Sequence, residues 1–201
     1  MAITNPADGA AHGAAHGAAT EASDWVIRFA PLIPAKGRVL DLAAGHGRHA
    51  RHLAGLGYQV DAVDRDHFAL ADLRGTAGVT AIMADIETGP WPLAGRRFDG
   101  VVVTNYLWRS LLPALVAALA DDGVLIYETF AMGNEKLGKP SNPEFLLRPG
   151  ELLEQARLNC LDVIAYENGF TTRPRDSVVQ RICARKVSAG AVPASLGRAT
   201  R

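Results

Sequence analysis

From residue 38 onward, short apolar runs alternate with segments whose apolar positions recur at helical spacing. The runs at 39–42, 58–63, 79–83, 98–104, 124–130, 161–167 and 177–184 read as strands. Helices are predicted at 48–56, 67–74, 108–119 and 149–158, the first closed by Gly57 and the last opened by Pro149. Val101, Val102 and Val103 form a run apolar on both sides, as in an inner strand of a parallel sheet. The link at 168–176 is too short for a helical crossover, so the last two strands should lie antiparallel. This alternation predicts an α/β, doubly wound, Rossmann-like sheet of seven strands, mostly parallel with the last strand antiparallel.

Composition narrows this frame. Residues 1–23 consist largely of Ala, Gly, His and Thr and should form a flexible tail, as should 188–201, which leaves one domain at 24–187. His12 and His16 have a metal-like spacing, but Gly13 and Gly17 disfavour the helix it would need. The 21 basic residues balance 21 acidic ones, which gives no sign of a nucleic-acid or membrane-surface protein. Cys160 and Cys183 sit in apolar stretches without metal-ligand spacing and read as buried thiols of a reduced cytoplasmic protein. No signal peptide or membrane-spanning run is visible.

The chemistry starts where the first strand ends. Asp41 is followed by a small-residue turn with Gly45 and Gly47, then by a helix. Such a turn lets a ligand approach bare backbone. A carboxylate beside it would repel a pyrophosphate and suits a ligand with a positive end, an ammonium or a sulfonium. That favours S-adenosylmethionine over a dinucleotide. Asp64 ends the second strand, seventeen residues after Gly47, where an acid can accept from both ribose hydroxyls. Asp85 ends the third, placed to accept from an adenine amino group, with Ile86 beside it to pack on the purine.

These residues resemble the first motif of the class I S-adenosylmethionine-dependent methyltransferases, an acid and any residue before Gly-x-Gly-x-Gly. Here alanine (Ala43) stands at the first glycine position. The resemblance implies a cofactor set of Asp41, Ala43, Gly45, His46, Gly47, Asp64, Arg65, Asp85, Ile86 and Asn105. Within it, the glycines would approach the methionine part, Asp41 its ammonium, Asp64 the ribose, and Asp85 with Ile86 the adenine. The turn Gly45-His46-Gly47-Arg48-His49 is further similar to that of tellurite-resistance-type methyltransferases. Glu128-Thr129-Phe130, the segment 138–143 and the segment 146–152 look like parts of a small bacterial group related to them.

Methyl transfer is a one-step displacement that asks mainly for alignment, so no side-chain nucleophile is required. The acceptor should lie beyond the fourth and fifth strands, near Asn105, Tyr106, Trp108, Arg109, Glu128 and Phe130. Glu128 is the candidate base or orienting acid, Tyr106 a pocket wall, and Arg109 a partner for an anionic acceptor. The long segment 131–147 is expected to cover that site as a lid, with Lys136, Lys139 and Arg148 supplying charge. His46, His49 and His52 cannot easily converge on a metal, and Arg48 and Arg51 read as solvated or paired with surface acids. A small-molecule acceptor, an oxyanion or thiol-like nucleophile, is expected on family analogy, in a monomer or homodimer without nucleic-acid or membrane partners. A nicotinamide-dependent oxidoreductase and a non-catalytic S-adenosylmethionine sensor are the rival readings.

Overall fold

The computed structural model describes residues 21–187. The two expected tails therefore lie outside the described residues, apart from Glu21, Ala22 and Ser23. Ser23 is no loose end: its hydroxyl accepts from the Trp25 N–H and caps a helix absent from the sequence expectation, α1 (Asp24–Phe29). The apolar residues Trp25, Val26 and Phe29 are buried, and the Trp25 indole N–H donates to the Ile182 carbonyl at 3.2 Å.

Seven strands form one sheet in the order β3-β2-β1-β4-β5-β7-β6. They are β1 (Arg38–Leu42), β2 (Gln59–Asp64), β3 (Val79–Met83), β4 (Phe98–Thr104), β5 (Leu119–Phe130), β6 (Leu161–Thr171) and β7 (Ser177–Lys186). β1 to β5 run parallel, and β7 lies antiparallel to both β5 and β6. The fold class expected from the alternation is the one observed.

Alternation along the strands sends side chains into two apolar layers. Leu40, Leu42, Val101, Val103, Leu125 and Tyr127 face α4 (Leu112–Ala118) and α5 (Glu151–Leu158). Val39, Val60, Ala62, Val102 and Ile126 face α1, α2 (Arg48–Gly55) and α3 (His67–Ala71). Burial on both faces explains the triple-valine run: all three residues are fully buried.

Several boundaries move, for local reasons. α3 stops at Ala71, where the chain turns toward Gly75 in a left-handed conformation. The helix expected from residue 108 opens as a 3-10 turn over Arg109–Leu111 and becomes α-helical at Leu112, with Pro113 in its first turn. Pro149 lies outside α5, whose N-cap is Gly150 at φ +75°. β5 begins five residues early because Leu119 already pairs with Phe98, across an irregularity that ends at Gly100. Cys160 is exposed instead of buried, in the turn after α5, whereas Cys183 is buried as expected. Among the described residues no helix is long and apolar enough to cross a membrane.

Candidate active site

The carboxyl ends of the parallel strands β1 to β5 lie at one edge of the sheet, and the turn after β1 is built for close approach. Gly45 has φ +54° and a Cβ there would meet nothing within 4 Å, so its open face is available to a ligand. Gly47, at φ +75°, is glycine for a different reason: a Cβ would sit 2.2 Å from the Leu73 side chain. Ala43 also has positive φ, +54°, a conformation that costs an alanine about 1 kcal/mol or more.

The three acids occupy different environments. Asp41 is buried, its Oδ2 has no hydrogen-bond partner, and burial pushes its pKa up to about 7 despite the Ala50 N–H and the Arg48 charge. Asp64, also buried, accepts the Gly45 N–H on Oδ2 at 2.8 Å and the Asp66 N–H on Oδ1 at 2.9 Å. It thus holds the glycine turn. Asp85 is exposed and caps a turn, accepting the N–H groups of Glu87 and Thr88 and the Thr88 hydroxyl, which together hold its pKa below the usual range. Ile86, next to it, is buried.

His46 is exposed, with Nδ1 2.7 Å from the Asp72 carboxylate. His49 is buried, and burial depresses its pKa to about 3. Because its Nε2 accepts the Ser23 N–H at 3.2 Å, the neutral ring carries its proton on Nδ1, 3.3 Å from the Thr104 hydroxyl. It therefore ties the segment before α1 to the end of β4. Among the described residues no cluster of His, Cys, Asp and Glu is arranged to hold a metal ion.

Together these give the turn an open glycine face, a buried carboxylate oxygen without a hydrogen-bond partner beside it, and a second carboxylate anchored to the same turn. Residues 39–123 match a family model described as a methyltransferase domain. Over these residues the chain is similar to that family. TehB from Haemophilus influenzae is similar in fold, with a TM-score of 0.63 and 22% identity over 80% of this chain. The chain spans 61% of that structure's length. An S-adenosylmethionine-dependent methyltransferase from Methanosarcina mazei gives 0.64 with 14% identity, over 83% of this chain and 99% of that one. The glycopeptide N-methyltransferase MtfA, complexed with S-adenosyl-L-homocysteine, gives 0.58 with 20% identity, over 80% and 88%. No curated protein sequence matches the chain significantly.

On the other side of the site, the expected residues separate. Glu128 is buried at the end of β5, its Oε2 2.5 Å from the Nε of Arg181, its ladder partner, though neither atom makes a well-directed hydrogen bond. Arg181 reaches on to Glu167, which also meets Arg28 of α1. Arg48, expected to be solvated or paired with surface acids, is half-buried and feels the charges of both Glu128 and Asp41. It was missed because its neighbours lie on strands that only the sheet order brings together. The Asn105 N–H donates to the Glu128 carbonyl at 2.9 Å, with Asn105 at φ +54°. Tyr106 has a hydroxyl out of water with no well-directed partner, and burial, then the charge of Glu87, raises its pKa. Arg65 lies 3.6 Å from Glu87.

Arg109 is engaged by acceptors of the protein itself. Its guanidinium grips Glu151 with Nε at 2.7 Å and Nη2 at 3.0 Å, and donates to the carbonyls of Glu144 and Leu146. The segment 131–147 is likewise no loose lid. Ala131 bridges Leu147, and the buried Asn134 donates to the Pro140 carbonyl and accepts the Val178 N–H. Arg175 holds the Lys139 carbonyl at 2.7 Å, and Asn142 caps the 3-10 turn Pro143–Phe145.

Proposed function

We propose that the protein transfers a methyl group from S-adenosylmethionine to a small-molecule acceptor. One observation carries this reading. The Asp41 Oδ2, buried and without a hydrogen-bond partner, lies at the carboxyl end of β1, just before the open face of Gly45. Buried polar atoms are normally satisfied, so this oxygen marks where a ligand supplies the missing partner.

The cofactor, when bound, supplies an electrophilic methyl on a sulfonium leaving group. Asp41 would hold its ammonium, Asp64 its ribose hydroxyls, and Ile86 with Asp85 its adenine. Arg65 lies alongside, and the faces of Ala43, Gly45 and Gly47 give the methionine part its close approach. His46, turned to Asp72, contributes backbone to this set. Asn105 and Tyr106 wall the space beyond β4. Glu128, flanked by Arg181 and Arg48, is better suited to orient an acceptor than to remove its proton. A lone oxyanion would meet the buried Glu128 carboxylate, which weakens the oxyanion guess in favour of an acceptor that also offers a donor to Glu128.

A dinucleotide fits less well, because two carboxylates, Asp41 and Asp64, lie at the turn where its pyrophosphate would sit. The balanced charge favours a small acceptor over a nucleic acid, in our reading of a cytoplasmic monomer or homodimer.

Calorimetric titration with S-adenosylhomocysteine and NAD tests the assignment, with radiolabelled methyl transfer from S-adenosylmethionine into a pool of cell metabolites as its second arm. Binding of the first ligand alone, with label moved to a small molecule, is the expected result. Asp64→Ala should weaken nucleoside binding by about 1.5–3 kcal/mol. NAD binding in place of S-adenosylhomocysteine, or an Asp64→Ala affinity equal to wild type, would overturn it. Binding without transfer would identify a sensor.

A further inference from the structure

Arg109 makes four hydrogen bonds with one guanidinium, all to residues 35–42 positions away. It stands where the segment after β4 ends. That segment is fixed at two other points, by the Asn105 N–H on the Glu128 carbonyl and by the Tyr127 hydroxyl on the Tyr106 carbonyl at 2.8 Å. Its partner Glu151 is 2% exposed and accepts the Arg148 N–H at 2.8 Å as well. Gln180 of β7 completes the frame, donating to the Arg148 carbonyl and accepting the Leu152 N–H. One side chain therefore joins the wall after β4 to the wall after β5, and both to α5 and β7.

We propose that Arg109 is a positioning residue: through Glu151 it fixes the spacing between residues 105–108 and the pinned segment 131–147, and so holds the acceptor space preformed instead of closed by a lid. The inference deepens the methyltransferase reading and rests on it for the kinetic consequence alone. Lysine cannot replace the fork, because an ammonium is a compact point charge whose three rotatable donors lack the planar bidentate geometry. Both oxygens of Glu151 are used, so the clamp acts as a unit and its two halves are not additive.

The test compares the full-length wild type with Arg109→Met, Arg109→Lys, Glu151→Gln and the double variant Arg109→Met/Glu151→Gln. Amide hydrogen exchange reads the segment 131–147, calorimetry with S-adenosylhomocysteine reads the donor site, and label transfer into a fixed small-molecule extract is followed against the amount of extract. Expected are about tenfold faster exchange in 131–147 with β1 and α2 unchanged, and donor affinity within about twofold of wild type. The extract needed for half-saturation should rise more than the plateau rate falls, with no recovery in Arg109→Lys and a double variant no worse than the worse single. Unchanged exchange in 131–147, full recovery by lysine, or additive losses would overturn the clamp. Glu151→Gln, which keeps the shape, decides the matter if Arg109→Met does not fold. A wild type that binds no S-adenosylhomocysteine would defeat the methyltransferase reading and leave the exchange result to judge the clamp by itself.

Discussion

At residue 43 the chain accepts a left-handed backbone with a Cβ attached, φ +54°, in the turn that must stay open to a ligand. The family pattern has glycine there, and the sequence shows the departure without showing its cost, which depends on φ. Ala43→Gly removes the clash and gives back part of the gain through a more flexible unfolded chain. A net stabilisation of roughly 0.5–1 kcal/mol follows, read as a higher urea midpoint with unchanged slope. Destabilisation would mean that alanine packs to advantage in the turn. Asp41 and Asp64 were legible as acids at strand ends, since strand length and the glycine turn place them. That one is orphaned and the other ties the turn to β2 was not legible, because hydrogen-bond partners are a property of the folded neighbourhood.

The same division holds for elements. The parallel strands could be read directly because inner strands are apolar on both sides, and β3, at an edge with a half-exposed pattern, was found from its β-branched run. α1 escaped notice: its six residues are too few to show a period. The segments 131–147 and 146–152 were visible as motifs but not as stitching, since each stitch joins residues far apart in sequence. Asn134 illustrates this. It holds Pro140 and, 44 residues away, Val178. Asn134→Ala leaves a half-buried carbonyl and a half-buried N–H short of partners, so global stability should drop by about 1–3 kcal/mol. Proteolysis should then cut first within 131–147. A wild-type digestion pattern would show that Arg109 and Arg175 hold the segment without it.

Across the whole molecule, two buried titratable groups sit on one layer beside α2 and pull stability in opposite directions with pH. Asp41 has its pKa raised from 3.8 to about 7, so between those values the native state keeps a proton that the unfolded chain gives up. Its contribution is fully present below about 4 and is lost as pH rises through 7. His49 is the reverse, lowered from 6.5 to about 3, so its contribution is present above 6.5 and is lost as pH falls. Between about 4 and 6.5 the two nearly cancel, and the wild type conceals both. Separating them needs single variants. Asp41→Asn should leave an unfolding free energy that rises with pH from 5 to 6.5, and His49→Gln one that falls over the same interval, each relative to wild type in urea melts. Adding S-adenosylhomocysteine should abolish the falling slope in His49→Gln, because its ammonium holds Asp41 ionised at both pH values. Parallel pH profiles for the two variants would mean that neither group changes its proton on unfolding. A falling slope that survives the ligand would place the ammonium elsewhere than at Asp41.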